Sequence, residues 1–412
     1  MAVRIVSAIT IARLLGPETK GVITLCILIP LTLQSLLYLG IGSANTYLCG
    51  RDRSRASEIV QSTNFLLLVL ILSGGITYFG GSPYWKVWLA KNIDLRYLYL
   101  SFIIFPMALT RTFFVGILQG LGNIKTVAVG RTINNGVYLG LLAILLGGLG
   151  YGVMAVLVAF ILGAAVELVF VIASLHRHVD WGLGVKRDTL REQLAYGFKS
   201  HLGILLALFT YRADFFFINF FLTTAHVGIY SVASAVAEVI AFASWSITTV
   251  LFPHAAASDE DRLNRLTPMV CRIAVGMNLV LMVVFFLIAQ PMIEGVFGKP
   301  FAAAALPMKI LLPGVVMLSI GRILNADLMG RGLPLYGSQA AAMGFIITLV
   351  LDLMLIPRWG MVGAASASTT AYSLSALYII YRYALTSGIS WEDFLLLRSQ
   401  DVSHLFKRLT HR

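Results

Sequence analysis

The chain is a succession of long apolar runs separated by short polar or Gly/Pro-containing breaks. Twelve segments stand out, at about 3–15, 22–44, 61–80, 97–119, 126–149, 152–174, 199–222, 228–252, 269–289, 308–330, 335–356 and 361–383. A bilayer core roughly 30 Å thick needs about 20 apolar residues per helix, a length that every segment but the first reaches. Membrane strands would instead alternate apolar and polar positions over about ten residues, and these runs are continuous. The pattern predicts an all-α polytopic membrane protein of about twelve transmembrane helices.

The first segment holds about 13 residues, roughly 20 Å of helix. It carries Arg4, as a signal peptide would, yet no small-residue cleavage site precedes "RLLGPETK" at 13–20. The expectation is a first transmembrane helix clipped at its start. Composition agrees with a membrane setting: 58% of residues are hydrophobic and 12% charged, and the mean hydropathy is +0.85, more than a water-soluble surface carries. The net charge of +12 would suit nucleic acid if gathered on one soluble face, but it is scattered over loops, so no nucleic-acid partner is expected. With both termini on one side, that side holds fifteen Lys and Arg, from Arg51, Arg53 and Arg55 through Lys186, Arg187 and Arg191 to the tail, against six opposite, Lys20, Lys86, Lys91, Arg96, Lys299 and Arg358. The positive-inside rule then places both termini in the cytoplasm. Cys26, Cys49 and Cys271 form no CxxC pair, and no two histidines have ligand spacing, so neither disulfide, metal site nor cofactor is expected.

Three landmarks recur at nearly one offset. "LGPETKGVI", with Leu15 six residues before Gly21, matches "LTTAHVGIY", with Leu222 six before Gly228, at 207 residues. "QGLGN", with Gly120 and Gly122, matches "MGRGL", with Gly330 and Gly332, at 210; "YGVMA", with Gly152, matches "WGMVGAA", with Gly360, at 208. Two six-helix halves follow, at 1–174 and 199–384, sharing an orientation and related by a pseudo-twofold along the membrane normal, the symmetry of a transporter. In this reading Gly16 and Pro17 stop the first helix and Gly21 opens the second. Between the halves, at 175–198, "DTLREQLAYGF" spaces Leu190, Leu194 and Phe198 as a surface-lying amphipathic linker. The tail at 385–412 places Val402, Leu405, Phe406 and Leu409 on one helical face beside Lys407 and Arg408, fitting an anionic leaflet.

Ionisable residues inside these segments are costly in lipid, roughly 2.5–3.5 kcal/mol each, so they should face a cavity or a partner. They are Arg111, Arg131, Glu167, Arg212, Asp214, Glu238, Arg322, Asp327 and Asp352. Arg111 lies nine residues before Gly120 and Arg322 eight before Gly330, equivalent depths in the two halves. Two guanidinium forks on opposite walls could hold a diphosphate; alternatively each pairs with an acid such as Glu167 or Asp327. Arg212 and Asp214, two residues apart, point about 200° from each other around a helix and cannot both face a cavity. Asp214, Glu238 and Asp327 are candidates to carry a coupling proton or sodium ion, with structural pairing the alternative for each. No nucleophile elbow or phosphate-cradling Gly loop occurs, and the longest outer loops, 81–96 and 290–307, are short for a membrane glycan polymerase or ligase; the chain is not expected to be an enzyme.

Four stretches, "IARLLGPETKGVITL", "YLGIGSANTYL", "YRADFFFINFFLTTAHVGIYSVA" and "LIPRWGMVGAASAST", resemble the polysaccharide flippase (Wzx-like) branch of the MOP transporter superfamily, in matching order over all twelve segments. The resemblance implies two lobes around a cationic cavity and alternating access, carrying an undecaprenyl-pyrophosphate-linked oligosaccharide to the outer leaflet, in association with polysaccharide biosynthesis machinery. It implies pyrophosphate contact at Arg111 and Arg322, with Arg13, Arg131 and Arg212 behind them. The clipped first helix departs from the pattern. A cation-coupled drug exporter of the same superfamily is the alternative; it would favour an acidic cavity, against which the intramembrane arginines count.

Overall fold

The protein is described by a computed structural model covering residues 2–81, 93–148, 152–184, 186–242, 244, 247–248 and 260–395. Among these residues there are thirteen α-helices and no strand: α1 (Ala2–Leu37), α2 (Ile41–Arg51), α3 (Ala56–Gly75), α4 (Leu95–Ser101), α5 (Ile104–Gly120), α6 (Ile124–Leu142), α7 (Gly152–His176), α8 (Arg187–Phe221), α9 (Thr224–Glu238), α10 (Glu260–Phe297), α11 (Ala305–Gly330), α12 (Leu335–Ser387) and α13 (Trp391–Leu395). Nine stretches of the described residues are long and apolar enough to cross a membrane. Two of them each contain two of the expected segments: α1 passes through Gly16 (φ 74°, ψ 179°) and α12 through Gly360 (φ 57°, ψ −135°). The 53 residues of α12 would reach roughly 80 Å if straight, more than twice the hydrocarbon thickness, so the non-helical glycine separates two spans. The nine stretches thus account for eleven expected segments. The eighth begins in α9, and much of its second half lies outside the described residues, as does the tail face at 402–409.

Contacts divide the chain into two compact units. Unit 1 comprises Met1–Leu205 with Thr223–Gly228, and unit 2 comprises Leu206–Leu222 with Ile229–Arg412. The second and third repeated landmarks have the same backbone in both. Gly122 and Gly332 both stand at φ 81°, and Gly152 and Gly360 both at φ 57°. At the first pair the last turns of α5 and α11 close alike: Asn123 N–H donates to Leu118 O at 2.8 Å, and Leu333 N–H to Leu328 O at 2.9 Å. This six-to-one bond needs a left-handed residue inside it, where a side chain other than glycine's is strained.

The first landmark differs from its sequence reading. Gly16 is the one non-helical residue there, and helix resumes at Pro17, whose fixed φ and missing N–H suit a first helical position. Gly21 lies inside the second span rather than opening it, and its role is close approach. A Cβ on Gly21 would stand 1.8 Å from Thr224 O, and one on Gly228 would stand 1.9 Å from Pro17 O. The two glycines matched at the 207-residue offset therefore meet one another within unit 1, where backbones touch because neither residue has a side chain. The second span breaks at Leu39 (φ 47°) and Gly40 (φ 70°), then continues as α2. The linker is likewise no separate element: residues 187–198 are the first turns of α8, continuous with the seventh span. All three cysteines are buried and free.

Replacing Gly228 by valine should force the α1–α9 crossing apart. Overpacking of this kind costs about 1–3 kcal/mol, so the variant in detergent should unfold at a lower temperature than the parent, and an unchanged unfolding temperature would contradict the crossing.

Candidate functional site

In unit 1 the intramembrane charges assemble on α5, α6 and α7. Arg111 Nε of α5 lies 2.6 Å from Glu167 Oε1 of α7, with side chains 24% and 1% exposed. Glu167 Oε2 accepts from Asn134 Nδ2 of α6 at 2.6 Å. A carboxylate buried in an apolar helix needs both partners, since an unmatched charge in hydrocarbon costs several kcal/mol. Only part of the guanidinium is spent on Glu167, and the partial exposure of Arg111 leaves donors able to meet an anion. Arg131, also on α6, is exposed and makes no ion pair among the described residues, and Arg13 in α1 is exposed as well.

In unit 2 the centre is α8. Asp214 is buried; its Oδ2 accepts from Tyr230 Oη of α9 at 2.7 Å and from Ser368 Oγ of α12 at 3.3 Å, while Oδ1 accepts from Phe215 N–H at 2.9 Å. Asp352 of α12, fully buried, lies within electrostatic reach of Asp214. Among the described residues neither of its oxygens has a hydrogen-bond partner, and the Thr348 hydroxyl one turn earlier also lacks one. Arg212, two residues from Asp214, is partly exposed and pairs with Glu238 of α9 at 3.2 Å. Arg322 of α11 is half-buried, with its guanidinium carbon 5.1 Å from the Tyr211 ring centre, a cation–π geometry; Tyr211 in turn packs edge-on against Tyr372.

Of the candidate coupling acids, Asp214 and Asp327 are buried, and Asp214 is met by neutral donors rather than by an ion pair. Glu238 is exposed and paired with Arg212. Asp327 is buried at the end of α11 and accepts from Arg331 one turn on and from Thr267 of α10, while Arg331 also donates to Asn264 Oδ1 at 2.7 Å. That arrangement is a clamp between α10 and α11, the structural pairing that the sequence left open, formed with Arg331 rather than Arg322. Asn134, Tyr230 and Ser368 were not among the sequence candidates, and Asp352 was noted only as an intramembrane charge; a polar residue inside an apolar run is the signal that marks each.

A sequence-family profile described as "Polysaccharide biosynthesis protein" matches residues 10–306. The chain belongs to this family. A relative from Haloferax volcanii, described as "Probable low-salt glycan biosynthesis flippase Agl15", is 27% identical over 181 residues, 43% of this chain and 38% of that protein. The match thus spans well under half the length of this curated relative. Among solved structures, "Lipid II flippase MurJ, inward closed conformation" superposes with a TM-score of 0.79 at 15% identity, covering 95% of this chain and 87% of that one. A multidrug resistance MATE family transporter of the MOP superfamily, in an inward-facing conformation, superposes at 0.76 with 16% identity over 94% of each chain. At such identities the likeness establishes the fold. This member of the polysaccharide biosynthesis family has the multi-pass, all-helical fold of these structures, whose names are those of a flippase and a transporter.

The Arg111–Glu167 pair sets an expectation for stability. Glu167→Ala strands the guanidinium and the Asn134 amide at once. Removing one member of a fully buried pair costs about 3–5 kcal/mol; with Arg111 partly exposed, roughly 1–3 kcal/mol is expected. A double-mutant cycle of Arg111→Met and Glu167→Ala, read by thermal unfolding, should show strong coupling, and additive effects would mean that the pair contributes nothing.

Proposed function

We propose that the chain is a flippase that carries an undecaprenyl-pyrophosphate-linked oligosaccharide from the inner to the outer leaflet of the cytoplasmic membrane by alternating access. Its termini lie in the cytoplasm, and six-helix lobes at about 1–174 and 199–384 flank the linker. The observation that carries this reading is a partly exposed guanidinium at matching depth in each half, Arg111 on α5 and Arg322 on α11, in a chain of the polysaccharide biosynthesis family. A pyrophosphate crosses hydrocarbon only where its charge is matched by protein, and guanidinium forks match phosphate oxygens in pairs. Each fork is held by its own unit, Arg111 by Glu167 and Arg322 by the Tyr211 ring, so each is oriented before substrate arrives. Arg13 and Arg131 supply further positive charge on the substrate's route, and Arg212 would add to it only by exchanging Glu238 for the substrate.

Disrupting the gene should trap one lipid-linked oligosaccharide in the inner leaflet, recovered by extraction and chemical analysis. No trapped glycan, with drug sensitivity instead, would support the exporter reading. Complementation by Arg111→Ala with Arg322→Ala should fail while the protein still inserts, and lysine at both positions should restore only part of the activity, because a point charge cannot form the bidentate contact. Full activity of the double alanine variant would make the arginines scaffold residues.

The buried acids of unit 2 fit the coupling step. Beside Asp214, whose oxygens are met by Tyr230, Ser368 and Phe215 N–H, Asp352 and the Thr348 hydroxyl are buried without a hydrogen-bond partner among the described residues. A proton or sodium ion supplies what is missing, and its arrival and loss change the packing of α8 against α12. Asp352→Asn removes the charge with little change of shape. It should leave the unfolding temperature unchanged or higher while abolishing ion-driven transport in proteoliposomes; ion-driven transport at the parent rate would exclude Asp352 from coupling.

A further inference from the structure

The first turns of α8 are inverted. Thr189 and Gln193, on one face of residues 187–198, are fully buried, while the charged Arg187, Asp188, Arg191 and Glu192 stay exposed. Gln193 Nε2 donates to Asn45 Oδ1 at 2.7 Å and Thr63 Oγ1 at 3.0 Å, and its Oε1 accepts from Ser62 at 2.7 Å. Arg55 donates to Glu192 at 2.9 Å and to Thr189 Oγ1 at 3.1 Å, and Lys186 Nζ lies 2.7 Å from Glu58. Gly197 sits where a Cβ would stand 2.4 Å from Leu39 O. The helix is thus latched to α2 and α3 by its polar side, and its apolar side is left outward.

That outward side is a stripe at helical spacing: Arg187, Leu190, Arg191, Leu194 and Phe198. Phe198 is 70% exposed and Leu194 37%. With Leu39 and Ala195 the stripe lines an open groove of about 550 Å³. Arg187 and Arg191 are exposed and make no ion pair among the described residues, whereas Lys186, Arg55, Glu58 and Glu192 beside them are all paired. The nearby acid Asp188 does not line the groove. The helix runs directly into the span His201–Phe221, so the stripe lies at the membrane boundary, with two guanidinium groups one turn apart, about 6 Å between Cβ atoms, above a row of apolar side chains.

We propose that this groove is a binding site for an anionic glycerophospholipid of the adjoining leaflet. The phosphate sits between Arg187 and Arg191, and one acyl chain follows Leu190, Leu194 and Phe198. The apolar row would be unfavourable against water and suits a hydrocarbon chain; the unpaired guanidiniums suit a phosphate diester. Such a lipid fixes the latched helix, and with it the entry to the seventh span, at a set depth in the interface.

The test uses full-length protein in nanodiscs of equal parts phosphatidylcholine and phosphatidylglycerol, with the lipids that remain bound on gentle detergent extraction counted by native mass spectrometry. The parent should retain phosphatidylglycerol over phosphatidylcholine severalfold, and Arg187→Gln with Arg191→Gln should lose that preference. Equal retention by parent and variant, or no preference in the parent, overturns the proposal, as does displacement of the bound lipid by inorganic phosphate alone, which would mark a site for free anions. Should the double variant fold poorly, the parent decides the matter. Raising salt from about 0.1 M to 1 M shortens the screening length from roughly 10 Å to 3 Å and should erase most of the preference; a salt-insensitive preference overturns it. The readout is binding, so it stands whatever substrate the protein carries.

Discussion

The cost of an unmatched polar group in hydrocarbon is the constraint on which the rest of this structure depends. Water can complete the partners of a surface carboxylate, but a carboxylate inside a span has only protein to turn to. Glu167 is met by Arg111 and Asn134, Asp327 by Arg331 and Thr267, and Asp214 by Tyr230, Ser368 and its own backbone. Each set draws on helices far apart in sequence, so matching a charge also ties the bundle together. Asp352 is the exception, buried with both oxygens unpartnered among the described residues. A site whose polar groups are matched in only one protonation or ion-bound state carries its own reason to change packing when that state changes, and a scaffold pair such as Asp327–Arg331 does not.

Lipid tails give helices no apolar drive to associate, so close backbone approach takes over. The crossing of Gly21 and Gly228 brings α1 and α9 to a separation that no side chain permits. It explains why Thr223–Gly228 groups with unit 1 although its neighbours in sequence group with unit 2.

The segments were legible because an apolar run of about 20 residues is one-dimensional information, and the repeat was legible because a left-handed residue at a helix end all but requires glycine. Gly122 with Gly332 and Gly152 with Gly360 carry that signal openly. The pair Gly21 and Gly228 was found by the same spacing but for another reason, since a glycine needed for close approach and one needed for a turn look alike in sequence. Pairings were legible only as alternatives: Arg111 with Glu167 was one of them and is formed, while Asp327 is met by Arg331, which the sequence did not single out. That Arg111 meets Glu167 depends on which face of α7 turns toward α5, and the apolar composition of α7 fits any rotation. The same limit applied to residues 187–198. Leu190, Leu194 and Phe198 at helical spacing say that one face is apolar, but only the burial of Thr189 and Gln193 reveals that the polar face is the one turned to protein.

That inversion has a counterpart in the second half. After the sixth segment the chain returns to the third helix of its own half, where Gln193 is bonded to Thr63 on α3. After the twelfth it returns to the ninth, where Arg272 on α10 donates to the Asp393 carbonyl of α13 and Phe394 is fully buried against Tyr383. The position repeats while the chemistry does not, since α8 continues into the seventh span. A helix leading into the membrane gains by turning its apolar residues to lipid and settling its polar ones on the protein. The short α13 instead buries an aromatic ring, and its Glu392 stays exposed. One return path thus serves as a latched entry to the seventh span in the first half and as an aromatic plug in the second.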